Sequence, residues 1–136
     1  MEVHEAIKKR RSIRKFLDKP VSQEIIKELL EAARLSPSAM NAQPWKFLVV
    51  NDKKVINELR KENIFRQEFV YNAPVIIVCC ADIDSYPDRA RDNFALRELA
   101  IGDIAFASQN LVLRATELGL GTCYIGLLDK EKVKKF

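Results

Sequence analysis

Arg10-Arg11-Ser12-Ile13-Arg14-Lys15-Phe16 places four cations and a hydroxyl within seven residues. In an extended chain, alternation sends Arg10, Ser12 and Arg14 to one face, with Arg11, Ile13 and Lys15 on the other. Two guanidinium forks flanking a hydroxyl suit a phosphate, because arginine offers planar, permanently charged donors and serine adds a short neutral one. The same residues also read as a solvated basic run leaving a helix C-terminus, where cations favour the helix dipole. Other chemistry is scarce. The only histidine is His4, between Val3 and Glu5. A Ser-His-Asp or Cys-His system would have to use it, as would most transition-metal sites, and a surface place on the first helix is the simpler reading. Cys79, Cys80 and Cys123 have no metal-ligand or CxxC spacing, so no metal site is expected. If the chain is an enzyme, a cofactor carries the difficult step.

The 136 residues fit a single domain, 1–136, able to bury about two-thirds of its unfolded surface. With 48% hydrophobic and 31% charged residues it belongs to the soluble globular class. A net charge of +4, from 23 cations and 19 anions, suits an anionic ligand as well as nucleic acid and selects neither. Cys79 and Cys80 sit in an apolar run and read as small buried hydrophobes. An odd cysteine count, with no apolar signal segment near Met1, points to the cytoplasm. No apolar run approaches membrane-spanning length.

The elements that must position these residues follow from periodicity and punctuation. Residues 3–9 read as a short helix and 23–35 as an amphipathic helix capped by Ser22. Ser36–Pro44 is a loop by its prolines and small polar residues, and 45–50 is a strand. Asp52 caps a helix over 53–62, and 63–72 reads as a further short helical piece. The unbroken apolar run 75–81 predicts a strand covered on both faces, and Asp82–Asp92 a polar loop. The longest element spans about Asn93 to Leu118. It is so apolar around its circumference that burial on most sides, at a subunit contact, is expected. Asp103 and Asn110, seven apart, share a side and predict a polar seam across that contact. Gly119 and Gly121 end the helix with residues free to take positive φ. Thr122–Leu128 reads as a third strand whose internal Gly126 marks a close backbone approach, and 129–136 as a terminal helix carrying Val133 and Phe136. Gly-Leu-Gly at 119–121 follows a helix and precedes a strand, the reverse of a dinucleotide-binding turn.

The order of these stretches resembles the nitroreductase family of FMN-dependent oxidoreductases. The matching motifs are residues 10–16, Ser36-Pro37-Ser38-Ala39-Met40-Asn41-Ala42-Gln43-Pro44-Trp45, Ala73–Val78, Ser108-Gln109-Asn110-Leu111 and Gly119–Gly126. The resemblance implies an α/β (α+β) fold, a three-layer α/β/α sandwich, forming a homodimer through its long helix with two FMN sites at the interface. It implies that Arg10, Arg11, Ser12 and Arg14 hold the FMN phosphate, ribityl chain and pyrimidine edge. Pro37, Ser38, Ala39, Asn41 and Gln43 would reach the flavin of the partner subunit. Tyr124, Ile125 and Gly126 would lie beside the isoalloxazine, with a backbone N–H near N5. The implied reaction is ping-pong: NADH or NADPH delivers a hydride to flavin N5, departs, and a nitroaromatic, quinone or similar small-molecule acceptor takes its place. No side-chain acid or base is required for the hydride step, which suits a chain with one histidine. Dehalogenating and flavin-fragmenting chemistry occur on the same scaffold, and no residue of 82–92 selects among them. The resemblance also implies a further strand and a partner-wrapping extension after the last residue here, so the chain reads as lacking them.

Two other classes compete. A nucleic-acid-binding module would use Arg10–Lys15, but the cations are confined to one run with no accompanying binding motif. A flavin-free, truncated dimerisation domain would be colourless and refuse added FMN.

Overall fold

The structure is a computed structural model that describes residues 1–91 and 95–135. Its elements run α1 (Val3–Lys9), α2 (Gln23–Arg34), β1 (Trp45–Val50), α3 (Lys53–Lys61), β2 (Ile76–Ala81), α4 (Asp88–Arg91), α5 (Leu96–Glu117) and α6 (Lys130–Val133). Single 3-10 turns lie at Ala39–Asn41, Glu68–Asn72 and Ile83–Ser85. The capping predicted from sequence is present: Ser22 Oγ accepts from the Ile25 N–H and Asp52 from the Lys54 N–H. Gly119 closes α5 at φ 77°, a conformation costly for any residue with a Cβ.

β1 and β2 pair antiparallel, Trp45 opposite Ala81 through Val50 opposite Ile76. Alternation along this ribbon divides the interior in two. Trp45, Phe47 and Ile77 pack beneath α2 and α5, against Leu29, Ala33, Ala107, Leu111, Val112 and Ala115. Val50, Ile76 and Val78 turn to the other side, towards Ile56 and Leu59 of α3 and Ile64, Phe65, Val70 and Tyr71. The ribbon therefore lies between two helical layers. Ala33, Ala107 and Ala115 are wholly buried, so α2 and α5 approach closely. A larger side chain at Ala33 would overpack that contact and cost about 1–3 kcal/mol. Arg114 of α5 joins Glu28 of α2 by an ion pair and also meets Glu117, whose carboxylate accepts from the terminal amine of Met1 at 3.1 Å.

Four expectations change. Thr122–Leu128 is not a third strand: it forms a parallel bridge to Ser12 at Thr122 and an antiparallel bridge to Phe65 at Leu128. Its flanking partners run in different directions, so no continuous ladder can form. The second strand is covered only over its first half; Cys79, Cys80 and Ala81 are exposed. Cys79 and Cys80 are therefore not core residues, because no helix extends over that end of the ribbon. Over its described residues, 82–91, the expected polar loop has internal order: Tyr86 and Ala90 are buried against Ala100, forming a satellite core. Asp103 bonds within its own chain instead of across a contact, as described below. The helix expected from Asn93 and the apolar Phe136 expected in the last helix lie outside the described residues, and the helix that is described begins at Leu96.

Candidate functional site

The basic stretch is extended where it matters. Arg10 leaves α1 at φ −53° and ψ 129°, and the Ile13 N–H donates to the Thr122 carbonyl at 2.8 Å. Ile13 seals this junction. A Cβ on Gly121 would stand 2.9 Å from Ile13 Cγ1, so glycine is what lets the two segments meet. Arg10 is half-buried, whereas Arg11, Ser12 and Arg14 are exposed. Among the described residues neither Arg10 nor Arg14 has a carboxylate partner. Arg11 is engaged differently: its Nη1 donates to the Lys8 and Arg10 carbonyls at 2.6 and 2.8 Å, closing the C-terminal end of α1.

Main-chain hydrogen bonds hold the segment across from it at its two ends. Beyond the Ser12 and Phe65 bridges, the Arg66 N–H donates to Leu127 O and the Asp129 N–H to Ile64 O. Tyr71 Oη fixes the far anchor, accepting from the Phe65 N–H and donating to the Phe65 carbonyl. Between these anchors, no N–H of Tyr124, Ile125 or Gly126 donates to another described main-chain group. Gly126 has open space where a Cβ would be. Tyr124 Oη bonds to Ser108 Oγ of α5 at 3.2 Å. Desolvation by burial raises the Tyr124 pKa, while the Ser108 hydrogen bond and the charge of Arg10 act in the opposite sense. Tyr124 and Ile125 line a largely apolar cleft with Phe16, Cys79, Ser108 and Leu111, about 190 Å³ in volume. Although Cys79 is exposed as a residue, partial desolvation on the cleft wall, and then the neighbouring Cys80, push its thiol up, so this sulfur is not a ready thiolate.

The Ser36–Pro44 loop forms a second, separate feature. Met40, Asn41 and Gln43 take φ of 53°, 54° and 49°, a region that residues with a Cβ rarely occupy. Strain concentrated in one loop persists only when its surroundings over-determine it. Here Ser38 Oγ accepts from the Gln43 N–H at 2.9 Å, and Pro44 O accepts from the Asp82 N–H at 2.8 Å. The Ala39 N–H donates to both Asp103 oxygens at 3.1 Å. Pro37, Ser38 and Ala39 border an open hollow with Gly102, Asp103 and Phe106, while Asn41 and Gln43 are exposed. Thus the structure brings Arg10, Ser12 and Tyr124–Gly126 together. It does not bring Pro37–Gln43 to them: the cleft beside Tyr124 and the hollow beside Pro37, Ser38 and Ala39 share no lining residue. Sequence reasoning missed Tyr86 altogether and gave Ser108 no separate role. An ionisable residue in an apolar helix, Asp103, was the available signal, but its partners are remote in sequence.

Whether flavin mononucleotide fits can be judged from these residues. Two guanidinium groups without carboxylate partners, free main-chain donors and the uncovered α-carbon of Gly126 suit an anionic tail joined to a flat ring. The comparisons agree in kind. The profile of the nitroreductase family matches residues 7–64 and 59–136, and the chain belongs to that family. A nitroreductase family protein from Clostridium novyi NT superposes with a TM-score of 0.84 at 33% identity, over 99% of this chain and 75% of that one. A protein from Desulfovibrio desulfuricans, provisionally named a nitroreductase and solved in complex with FMN, covers 93% of this chain and 69% of its own, with 31% identity and a TM-score of 0.77. A curated relative from Methanothermobacter thermautotrophicus, provisionally named an NADH dehydrogenase/NAD(P)H nitroreductase, is 36% identical over 133 residues. That alignment takes in 96% of this chain, which spans 64% of the relative's length.

Proposed function

We propose that this chain is an FMN-dependent oxidoreductase that takes a hydride from NADH or NADPH and passes it to a nitroaromatic, quinone or similar small acceptor in the cytoplasm. FMN, when bound, accepts and releases the hydride at N5. Arg10, Ser12 and Arg14 bind its phosphate and polar edge; permanent charge there favours anionic forms of the ligand. Arg11 supports them by terminating α1 so that the chain leaves it extended. Tyr124 and Ile125 wall the ring's cleft. Gly126 admits the ring edge and offers its N–H. Pro37, Ser38, Ala39, Asn41 and Gln43 complete the site of a second copy, so the working unit is a homodimer with FMN between subunits. Ile101 and Phe106 of α5, 63% and 57% exposed in the single chain, supply the apolar surface that such a contact would bury. His4 is exposed on α1, and the proposed reaction gives it no task.

The observation that carries this reading is the tethered segment 122–128, joined to the basic stretch whose Arg10 and Arg14 have no carboxylate partner among the described residues, and open at the Gly126 α-carbon. Purified protein under argon should lose its flavin absorbance when NADH or NADPH is added and regain it when a quinone follows. A flavin-bearing protein that neither nucleotide bleaches would overturn the proposed reaction.

A further inference from the structure

Asp103 is 4% exposed, in the middle of the α5 surface that faces the 36–44 loop. Both its oxygens are used. Oδ1 and Oδ2 accept from the Ala39 N–H, and Oδ2 also accepts from Tyr86 Oη at 2.6 Å. Tyr86 is 2% exposed, so its ring is fixed as firmly as its hydroxyl. The cluster around it draws Ala39 and Ala42 from the loop, Tyr86 and Ala90 from the 83–91 segment, and Leu96, Leu99 and Ala100 from α5. None of these residues belongs to the two main cores. The loop that holds Met40, Asn41 and Gln43 in left-handed conformations is therefore anchored by a small module that can loosen without melting the domain.

We infer that Asp103 and Tyr86 are positioning residues: together they hold the strained 36–44 loop in the shape that presents Ser38, Ala39 and Asn41 to the flavin. The inference rests on the proposed FMN site for its functional consequence and on the buried carboxylate for its structural one. The 2.6 Å bond from Tyr86 to the Asp103 carboxylate has the length of a charge-assisted hydrogen bond, which is roughly twice as strong as a neutral one. Neither residue touches the cleft of Tyr124, so their influence passes through the loop backbone.

Tyr86→Phe keeps the ring and deletes one donor; Asp103→Asn keeps the shape and deletes the charge. Without any flavin, amide exchange across residues 37–43 should quicken about tenfold or more in Asp103→Asn, with a smaller change in Tyr86→Phe, while amides of α2 and β1 keep their protection. FMN affinity, read by quenching of flavin fluorescence, should fall in the same order. The double variant should be no weaker than Asp103→Asn alone, because both act on one contact. Unchanged exchange at 37–43 in both variants, or exchange that quickens equally in α2 and β1, would overturn the inference. Faster exchange with unaltered FMN affinity would overturn its functional half. Failure of the wild type to bind FMN would count against the flavin site alone, since the exchange comparison stands without it.

Discussion

Removing the arginine pair gives the most direct perturbation of the basic stretch. Arg10 and Arg14 sit four residues apart on either side of Ser12, about 13 Å along an extended segment, a span that two long side chains on one face can close around one phosphate. Neither has a carboxylate partner among the described residues, so truncation removes no ion pair of the fold. A hydrogen bond to a charged group contributes about 1.5–3 kcal/mol, and each 1.4 kcal/mol is tenfold in affinity. Solvent screening at the exposed Arg14 favours the lower bound. Each single change to Ala should then weaken FMN about tenfold, and the pair about a hundredfold or somewhat less if both grip the same phosphate. Fluorescence titration with FMN measures this directly. Riboflavin, which lacks the phosphate, serves as the control: its weaker binding should respond much less to either change. The double variant should also lose most of the salt dependence that the wild type shows. Equal FMN affinity in wild type and double variant, with unchanged circular dichroism, would refute the assignment of these guanidinium groups.

Gly126→Val should leave the urea unfolding midpoint nearly unchanged, because the added carbons meet open space, yet abolish flavin binding; a variant that still titrates with FMN would place the ring elsewhere. Phe106→Glu should convert a dimer to a monomer in light scattering and release FMN with it, since a charge cannot be buried in that contact without a partner. Tyr86 carries a pH signature. Burial, then the Asp103 hydrogen bond, raises its pKa above the ordinary value of 10.0. Its contribution to stability is thus complete below about pH 10 and declines as the pH rises towards the folded value. Thermal scans should show this alkaline decline in the wild type and a shallower one in Tyr86→Phe.

Local chemistry was readable in the residues themselves. Ser22 and Asp52 cap their helices because a short oxygen-bearing side chain before an apolar period can satisfy an orphan N–H wherever the helix later packs. β1 was legible from its bounded apolar run, and Gly119 from its place after the long helix. What could not be read was partnership at a distance. Thr122–Leu128 has strand composition, but its neighbours are Ser12 at one end and Phe65 at the other, and pattern alone does not reveal that they diverge. Cys79 and Cys80 look like core because coverage of β2 depends on where the helices stop. Tyr86 sits amid Asp82, Asp84, Asp88 and Arg89, a polar setting that conceals a buried aromatic. Asp103 was noticed, yet its target is the backbone of Ala39, 64 residues away. In the site, residue types announced an anion cradle, and the family resemblance already assigned the Pro37–Gln43 loop to a partner's flavin; what only three dimensions reveal is that Asp103 pins this loop through the Ala39 N–H.

The central claim is that an FMN molecule lies against Tyr124–Gly126 of one copy with its phosphate on Arg10 and Arg14. Denaturing the purified, FMN-supplemented and desalted protein and identifying the released chromophore tests it most directly. The account predicts a yellow dimer that yields close to one FMN per chain. A colourless protein that takes up no FMN at micromolar concentrations would contradict it.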